Sequence, residues 1–131
     1  QDFVAKVQEF TAGAGVDVVY DSVGQATFHR SMDCIRPMGT LVSFGQASGS
    51  VEPLDIGLLS AKGSLFLTRP TLMTYTAERE ALLEHARDLF DVVESGAVKV
   101  EVRQTYSLAE AARAHRDLEA RKTTGSTVLL P

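Results

Sequence analysis

Hydrophobic positions in the first part of the chain follow two spacings, one typical of helices and one typical of buried strands. Phe3, Val7 and Phe10 recur at helical spacing. The β-branched run VDVVYD at residues 16–21 has the length of a strand and is followed by the small polar turn SVG. A strand that enters such a turn before a helix is a position at which α/β domains commonly hold a nucleotide.

The next hydrophobic runs repeat this order of strand and helix. Phe28, Met32 and Ile35 recur at helical spacing, which predicts a helix over residues 25–37 that ends at its proline. Three further elements are predicted: a strand over residues 40–44, a short helix over residues 55–61, and a strand from Ser64 to Arg69. Strands that alternate with helices predict an α/β fold with a doubly wound parallel sheet of the Rossmann type.

The pattern changes after the third strand. A broad apolar face between Thr76 and Gly96 predicts a long helix with Thr76 as its N-cap. Residues 98–102 then alternate apolar and charged side chains, as in a strand with one wet face. A capping box at residues 107–110 predicts another helix, and residues 126–130 predict a final strand. We therefore predict a domain boundary near Gly96, after half of a nucleotide-type sheet and before a segment of another, mixed domain.

Composition limits the classes of partner. The 131 residues are 44% hydrophobic and 23% charged with a formal net charge of -4, which describes an ordinary domain with enough apolar side chains for one core. A mildly acidic chain without a basic run lacks the electrostatic footprint of a nucleic-acid-binding protein. Its apolar stretches fall well short of a membrane span. We therefore expect neither nucleic acid nor a membrane as a partner.

The single cysteine and the scattered histidines give no sign of a metal site. Cys34 cannot form an internal disulfide, which fits a reducing, cytoplasmic location. His29, His85 and His115 fall in three predicted helices, without the spacing of known zinc motifs. We therefore expect no metal ion. The chain begins with Gln1 directly on a helical repeat, and we expect it to be part of a longer protein.

Candidate binding chemistry gathers at the carboxyl ends of the three predicted strands, where open α/β sheets bind their ligands. These ends read DSVG at residues 21–24, FGQAS at residues 44–48 and TRP at residues 68–70. Glycine also stands at the opposite strand ends, so glycine by itself does not distinguish a ligand edge from short connections. Arg69, a fork of hydrogen-bond donors on the same edge as the serines, favours ligand binding.

Three other features have ordinary structural explanations. GAG at residues 13–15 lacks a third glycine and precedes a strand, so it is not a dinucleotide fingerprint. Asp21 has no histidine near it in sequence, and we interpret it as a turn residue. Arg121 and Lys122 end a predicted helix, where positive charge favours the helix dipole. A phosphate contact is the alternative for this pair, and the residues alone leave both explanations open.

Four stretches of the sequence resemble the quinone oxidoreductases related to zeta-crystallin, which belong to the medium-chain dehydrogenase/reductase superfamily. They read VVYDSVG, LVSFGQASG, KGSLFLTRPTL and TTGSTVLLP, and the likeness extends through all 131 residues without an evident insertion. The resemblance implies that the chain is the carboxyl-terminal part of a longer enzyme that uses NADPH to reduce quinones without zinc. Residues 1–96 would then be the second half of the Rossmann domain, and residues 97–131 the carboxyl-terminal segment of the catalytic domain.

The resemblance also implies cofactor contacts. It suggests that Ser22, Val23 and Gly24 lie along the cofactor near its ribose or nicotinamide half. The other implied contacts are Phe44, Gly45 and Ser48 on the second turn, Arg69 on the third, and Arg121 near the carboxyl terminus. No catalytic residue is identified. The family's glycine-rich phosphate loop, the lysine and tyrosine that help to select NADPH, and the amino-terminal substrate domain have no counterpart in the sequence, so we expect the chain to be inactive alone.

The sequence leaves two other functions open. An enoyl or alkenal reductase of the same superfamily would use the same cofactor to reduce an activated C=C bond. A non-catalytic module, either crystallin-type or receiver-like, is the alternative from a different class. A receiver needs an acidic cluster at its strand ends, whereas these strand ends carry only Asp21.

The third predicted strand, Ser64 to Arg69, is expected to lie at the edge of the sheet and to pair with its own copy across a two-fold axis. Apolar side chains point to both of its faces, so both faces need cover while one backbone edge stays open. Lys62 and Pro70 flank this strand and leave its middle free of the charges and prolines that block pairing. The family resemblance likewise implies a homodimer joined through the cofactor domains.

Overall fold

The computed structural model describes residues 2–131, which form two compact units. One unit extends to Tyr75, and the other covers Thr76–Pro131. The predicted boundary near Gly96 stays a prediction, because compactness within this chain does not decide which residues belong to one domain of a longer protein.

The first unit is a three-stranded parallel sheet with helices between its strands. Its elements are α1 (Phe3–Phe10), β1 (Val16–Asp21), α2 (Phe28–Met32), β2 (Ile35–Ser43), α3 (Gly57–Ala61), β3 (Phe66–Thr68) and α4 (Leu72–Tyr75). The strands lie in the order β1, β2, β3, and both pairings are parallel. This arrangement confirms the predicted α/β class with a parallel sheet.

The second strand begins earlier than the hydrophobic spacing predicts. The predicted helix over residues 25–37 is reduced to α2, and Ile35 already belongs to β2. Ile35 and Thr40 pair with residues of β1 that are only two positions apart, so the segment between them bulges out of register. Pro37, which has no N–H, and Met38, at φ 60°, occupy this bulge. The prediction was wrong because a short apolar run fits a buried strand as well as a helix.

The third strand is shorter than predicted. It covers Phe66–Thr68 instead of Ser64 to Arg69, because Ser64 adopts φ 58° and Leu65 turns into the core. Among residues 2–131, β3 pairs with β2 alone, and Phe66 is 63% exposed. The strand is therefore an edge strand, as predicted, and its pairing with a second copy stays a prediction.

The core of the first unit packs helices against β2. Leu41 of β2 is fully buried, and Phe28 and Met32 of α2 lie against it with Ile35 and Leu65. Half-buried apolar side chains surround this cluster: Val19, Val51, Leu54, Leu58 and Leu59. Burying an aliphatic or aromatic side chain of this size contributes about 1.5–3 kcal/mol, so this cluster anchors the two strands whose carboxyl ends carry the candidate site.

The second unit contains a long helix and a two-stranded parallel sheet. Its elements are α5 (Arg79–Glu94), β4 (Val102–Ser107), a single 3₁₀ turn (Leu108–Glu110), α6 (Ala111–Glu119) and β5 (Ser126–Leu130), with β4 paired to β5. The final strand and the capping box at residues 107–110 are confirmed. Two details were wrong: Glu78, not Thr76, is the N-cap of α5, and the strand predicted over residues 98–102 begins only at Val102. Across residues 2–131, none of the helices combines the length and apolar character that spanning a bilayer requires.

Candidate functional site

Two turns lie against each other where β1 and β2 end. The first turn comprises residues 21–24, and the second turn comprises residues 43–49. Backbone hydrogen bonds join them: the N–H of Ala47 donates to the Ser22 carbonyl (3.3 Å), and the N–H of Ser48 donates to the Val23 carbonyl (2.8 Å). The structure therefore brings the predicted residues of both turns together at the edge of the sheet where α/β folds bind ligands.

Gly45 is the point of closest approach between the turns. A Cβ atom at Gly45 would lie 2.7 Å from both the Cα and the carbonyl carbon of Ser22. These are backbone atoms that cannot rotate away, so any side chain at Gly45 would force the turns apart. Gly24 is similarly enclosed, since a Cβ there would lie 2.7 Å from the Gly49 carbonyl oxygen. Both glycines are required by the packing of the turns.

Asp21 is a central residue of this edge. The sequence indicated only that it is a turn residue and did not reveal its contacts with α2. It is 4% exposed, and its Oδ1 atom accepts the N–H groups of Val23 (2.8 Å) and Gly24 (2.9 Å). The Thr27 hydroxyl donates to both carboxylate oxygens, and the Ser31 hydroxyl donates to Oδ2 (2.7 Å). Burial acts to raise the pKa of Asp21, but the hydrogen bonds outweigh it and hold this pKa below its ordinary value. The available signal in the sequence was a threonine and a serine four residues apart, which the structure places at the N-cap and inside α2.

The first turn leaves few groups free for a ligand. Its Val23 and Gly24 N–H groups are used by Asp21, and the carbonyls of Ser22 and Val23 are used by the second turn. The Gly24 carbonyl accepts from the start of α2. Within the described residues, no hydrogen bond engages the Ser22 hydroxyl, and both Ser22 and Val23 are exposed. The turn therefore offers a ligand one hydroxyl and one apolar side chain, and no cluster of free amides.

In the second turn, Ser48 supports the contact between the turns and Phe44 exposes its aromatic ring. The Ser48 hydroxyl donates to the Val23 carbonyl (2.7 Å) and accepts from the Ala26 N–H (2.9 Å), so it ties the turns together. Phe44 is 50% exposed, although a phenylalanine at a strand end is more often a core residue. Phe44 is thus the aromatic surface of this edge.

Arg69 lies beside the second turn and braces it. Its Nη1 atom donates to the carbonyls of Ser43 (2.8 Å) and Gly45 (3.3 Å). Its side chain also lines two hollows. One measures about 270 Å³ and includes Phe28 and Leu67, and the other measures about 550 Å³ and includes Phe44 and Tyr75. The structure therefore gives Arg69 a supporting role, while its proposed contact with a cofactor stays a prediction.

Arg121 belongs to the second unit, where it lies just after the C-cap of α6 in a left-handed backbone conformation. The N–H of Arg121 donates to the Leu118 carbonyl, and the N–H of Lys122 donates to the Asp117 carbonyl, which is the Schellman pattern of a helix end. Glycine is preferred at the position of Arg121, because its φ is 55°. The helix end accounts for the backbone of Arg121, and the proposed contact of its side chain with a cofactor stays a prediction.

Comparison with known proteins identifies relatives of this chain. Residues 1–129 match the family described as zinc-binding dehydrogenase. The chain is 52% identical over 131 residues to a quinone oxidoreductase of Pseudomonas aeruginosa and 46% identical over 132 residues to a 2-haloacrylate reductase of a Burkholderia species. Each comparison covers 100% of this chain and 40% of the relative.

A solved structure gives the same result. Escherichia coli quinone oxidoreductase complexed with NADPH is 47% identical to the chain, with a TM-score of 0.91. The match covers 100% of this chain and 41% of that protein. The resemblance to quinone oxidoreductases is therefore confirmed, and the chain spans about two fifths of the length of the relatives it matches.

The family description names zinc, an ion that proteins hold with clusters of Cys, His, Asp or Glu side chains. Within residues 2–131, no group of three or more His, Cys, Asp or Glu side chains is arranged to hold a metal. Cys34 is buried in the core beneath α2, and burial raises the pKa of its thiol. The donor set in this part of the chain does not fit zinc, so no reaction step is assigned to zinc. A reaction without zinc stays a prediction.

Proposed function

Because the chain belongs to the zinc-binding dehydrogenase family, in the medium-chain dehydrogenase/reductase superfamily, we propose that the whole protein is an NADPH-dependent quinone oxidoreductase. The observation that carries this proposal is the pair of tightly joined turns at the carboxyl edge of a parallel sheet, in a chain with 47% identity to an NADPH-bound quinone oxidoreductase. The enzyme names of the relatives argue against a non-catalytic module.

The free groups of the two turns suit the nicotinamide half of NADPH. A pyrophosphate needs free N–H groups, whereas those of the first turn are already bound to a buried carboxylate. That carboxylate would also repel phosphate. The Ser22 hydroxyl suits a ribose or carboxamide, and the exposed side chains of Val23 and Phe44 suit a flat ring. We therefore propose that Ser22, Val23 and Phe44 form the surface for this half, and that Gly24, Gly45 and Ser48 contribute to the site by holding the turns together.

The residues of this chain would position the reaction. Bound NADPH would supply a hydride, which carries two electrons and one proton, and one further proton from solvent would complete the reduction of a quinone to a hydroquinone with NADP⁺ as the other product. Val23 and Phe44 would exclude water from the ring that reacts. Arg69 would keep the second turn in place by holding the Ser43 and Gly45 carbonyls. Arg121 would contact a charged group of the cofactor.

Steady-state kinetics of the whole protein tests the proposal. We expect oxidation of NADPH to depend on an added quinone, to be faster than oxidation of NADH, and to continue in the presence of a zinc chelator. A protein that binds NADPH without reducing any of a set of benzoquinones and naphthoquinones would contradict the quinone assignment.

Reduction of an activated C=C bond is the second candidate. The specific observation in its favour is the 46% identity to a 2-haloacrylate reductase, which is close to the identity with quinone oxidoreductases. The same kinetic assay with 2-haloacrylate or an enal as acceptor separates the two functions. A larger kcat/KM for the alkene than for every quinone would favour this candidate.

We further propose that the whole protein is a homodimer joined through β3. An edge strand with the exposed Phe66 is covered when a second copy adds its own strand across a two-fold axis. A lysine on an edge strand opposes such pairing, so Phe66→Lys is expected to convert the dimer to a monomer. Phe10→Lys is the matched control, because Phe10 is 83% exposed on α1. Light scattering measures both variants, and a dimer that survives Phe66→Lys would refute this interface.

The remaining proposals concern location and other partners. A single buried cysteine and the need for NADPH suit a cytoplasmic enzyme. The mildly acidic composition supports the absence of nucleic-acid and membrane partners.

A further inference from the structure

Asp21 lies at the junction of the two turns and binds both. Its backbone carbonyl accepts the N–H groups of Phe44 (2.9 Å) and Gly45 (3.2 Å), which begin the second turn. Its carboxylate accepts the N–H groups of Val23 and Gly24, which belong to the first turn. One residue therefore fixes the backbone of both turns.

The side chain also ties the first turn to α2. The hydroxyls of Thr27 and Ser31 donate to the carboxylate from this helix, and Ser31 is buried. An ionised carboxylate has two oxygens that accept hydrogen bonds, and all of its surrounding donors use them. An asparagine would keep one oxygen for the two N–H groups but would present N–H donors toward the hydroxyls. The site is thus built for a carboxylate.

The consequence falls on Ser22, which stands between two anchored residues. Asp21 before it is held by the second turn, and Val23 after it is held by the Asp21 carboxylate. The position of the Ser22 backbone, from which its hydroxyl projects, is therefore set by Asp21, which is itself buried.

We infer that Asp21 is a positioning residue for the nicotinamide half of NADPH: its carboxylate holds the first turn, and its backbone carbonyl holds the start of the second turn, in the conformation that binds the cofactor. This inference rests on the proposed function. Asp21 touches neither cofactor nor substrate, and it acts through Ser22, Val23 and Gly45.

The test compares two ligands on the whole protein by calorimetry. NADPH reaches the turns, whereas adenosine 2′,5′-bisphosphate lacks the nicotinamide half. Asp21→Asn is expected to weaken NADPH binding about tenfold and to leave the bisphosphate affinity unchanged, because charge-assisted hydrogen bonds are replaced by weaker or unpaired ones. In kinetics, KM for NADPH should rise while KM for the quinone stays constant.

Asp17→Asn is the matched control, because Asp17 lies on the same strand with an exposed side chain paired to Arg36. It is expected to change neither affinity. Ser31→Ala removes one donor to the carboxylate and is expected to weaken NADPH binding about threefold. This milder variant supplies the test if Asp21→Asn does not fold.

Each outcome decides the inference. Unchanged NADPH affinity in Asp21→Asn, or in Ser31→Ala when that variant supplies the test, would overturn it. An equal loss for NADPH and the bisphosphate would also overturn it, since a general loss of folding weakens both. A wild-type protein that binds the bisphosphate and NADPH equally, or binds neither, would instead overturn the proposed function and remove the premise of the inference.

Discussion

Replacing Gly45 with valine in the whole protein is expected to weaken NADPH binding by about ten- to a hundredfold. The new Cβ would lie 2.7 Å from the Cα and carbonyl carbon of Ser22, well inside contact distance, and two γ-methyl groups would add to the conflict. Separating the turns costs about 1–3 kcal/mol, as other overpacked sites do, and this corresponds to the expected loss of affinity. Calorimetric titration with NADPH measures it.

Gly57→Ala provides the control for the Gly45 variant. A Cβ at Gly57 would lie 3.2 Å from Oδ1 of Asp55, which is the end of a side chain that can move. Gly57 begins α3, where alanine is favourable, so neither stability nor NADPH affinity should fall. Wild-type NADPH affinity in the Gly45 variant would mean that the contact between the turns is not part of the cofactor site.

Replacing Arg121 with glycine is expected to change stability and NADPH affinity in opposite directions. Glycine suits the φ of 55° at this helix end, and relief of the strain should stabilise the protein by about 1 kcal/mol. Loss of a contact between the guanidinium and a charged group of the cofactor, at about 1.5–3 kcal/mol, should weaken NADPH binding by about ten- to a hundredfold. Thermal unfolding and calorimetry measure the two effects.

Arg121→Lys is the matched control for this variant. Lysine keeps the charge and the backbone strain, so it should retain the wild-type stability and part of the affinity. If Arg121→Gly raises the stability and leaves NADPH affinity at the wild-type value, Arg121 has no role beyond the helix end.

The sequence predicted the order of strands and helices because buried β-branched runs and helical spacing were clear in most segments. It failed at Ile35, where one apolar residue fits the core from either a helix or a strand. The bulge that follows depends on pairing between β1 and β2, a contact between distant parts of the chain. Local spacing cannot reveal such a contact, so the start of β2 was missed.

The position of the candidate site could be predicted from the sequence. Which of its residues face a ligand and which support the turns could not. Polar turns after parallel strands indicate which edge binds a ligand, and the structure brings Ser22 and Phe44 to that edge. The sequence does not show that the side chains of Ser48 and Arg69 donate hydrogen bonds to backbone carbonyls of these turns and so support them. Nor does it show that Asp21 accepts from both the turn and α2, because those partners are fixed only when the helix packs.

A crystal structure of the whole protein with NADPH tests the central claim most directly. We expect the nicotinamide ribose or ring to lie within about 4.5 Å of Ser22 and Phe44, with the pyrophosphate away from the first turn. The Val23 and Gly24 N–H groups should still donate to Asp21. A cofactor whose phosphates lie on the first turn, or whose nicotinamide half contacts neither Ser22 nor Phe44, would contradict the account.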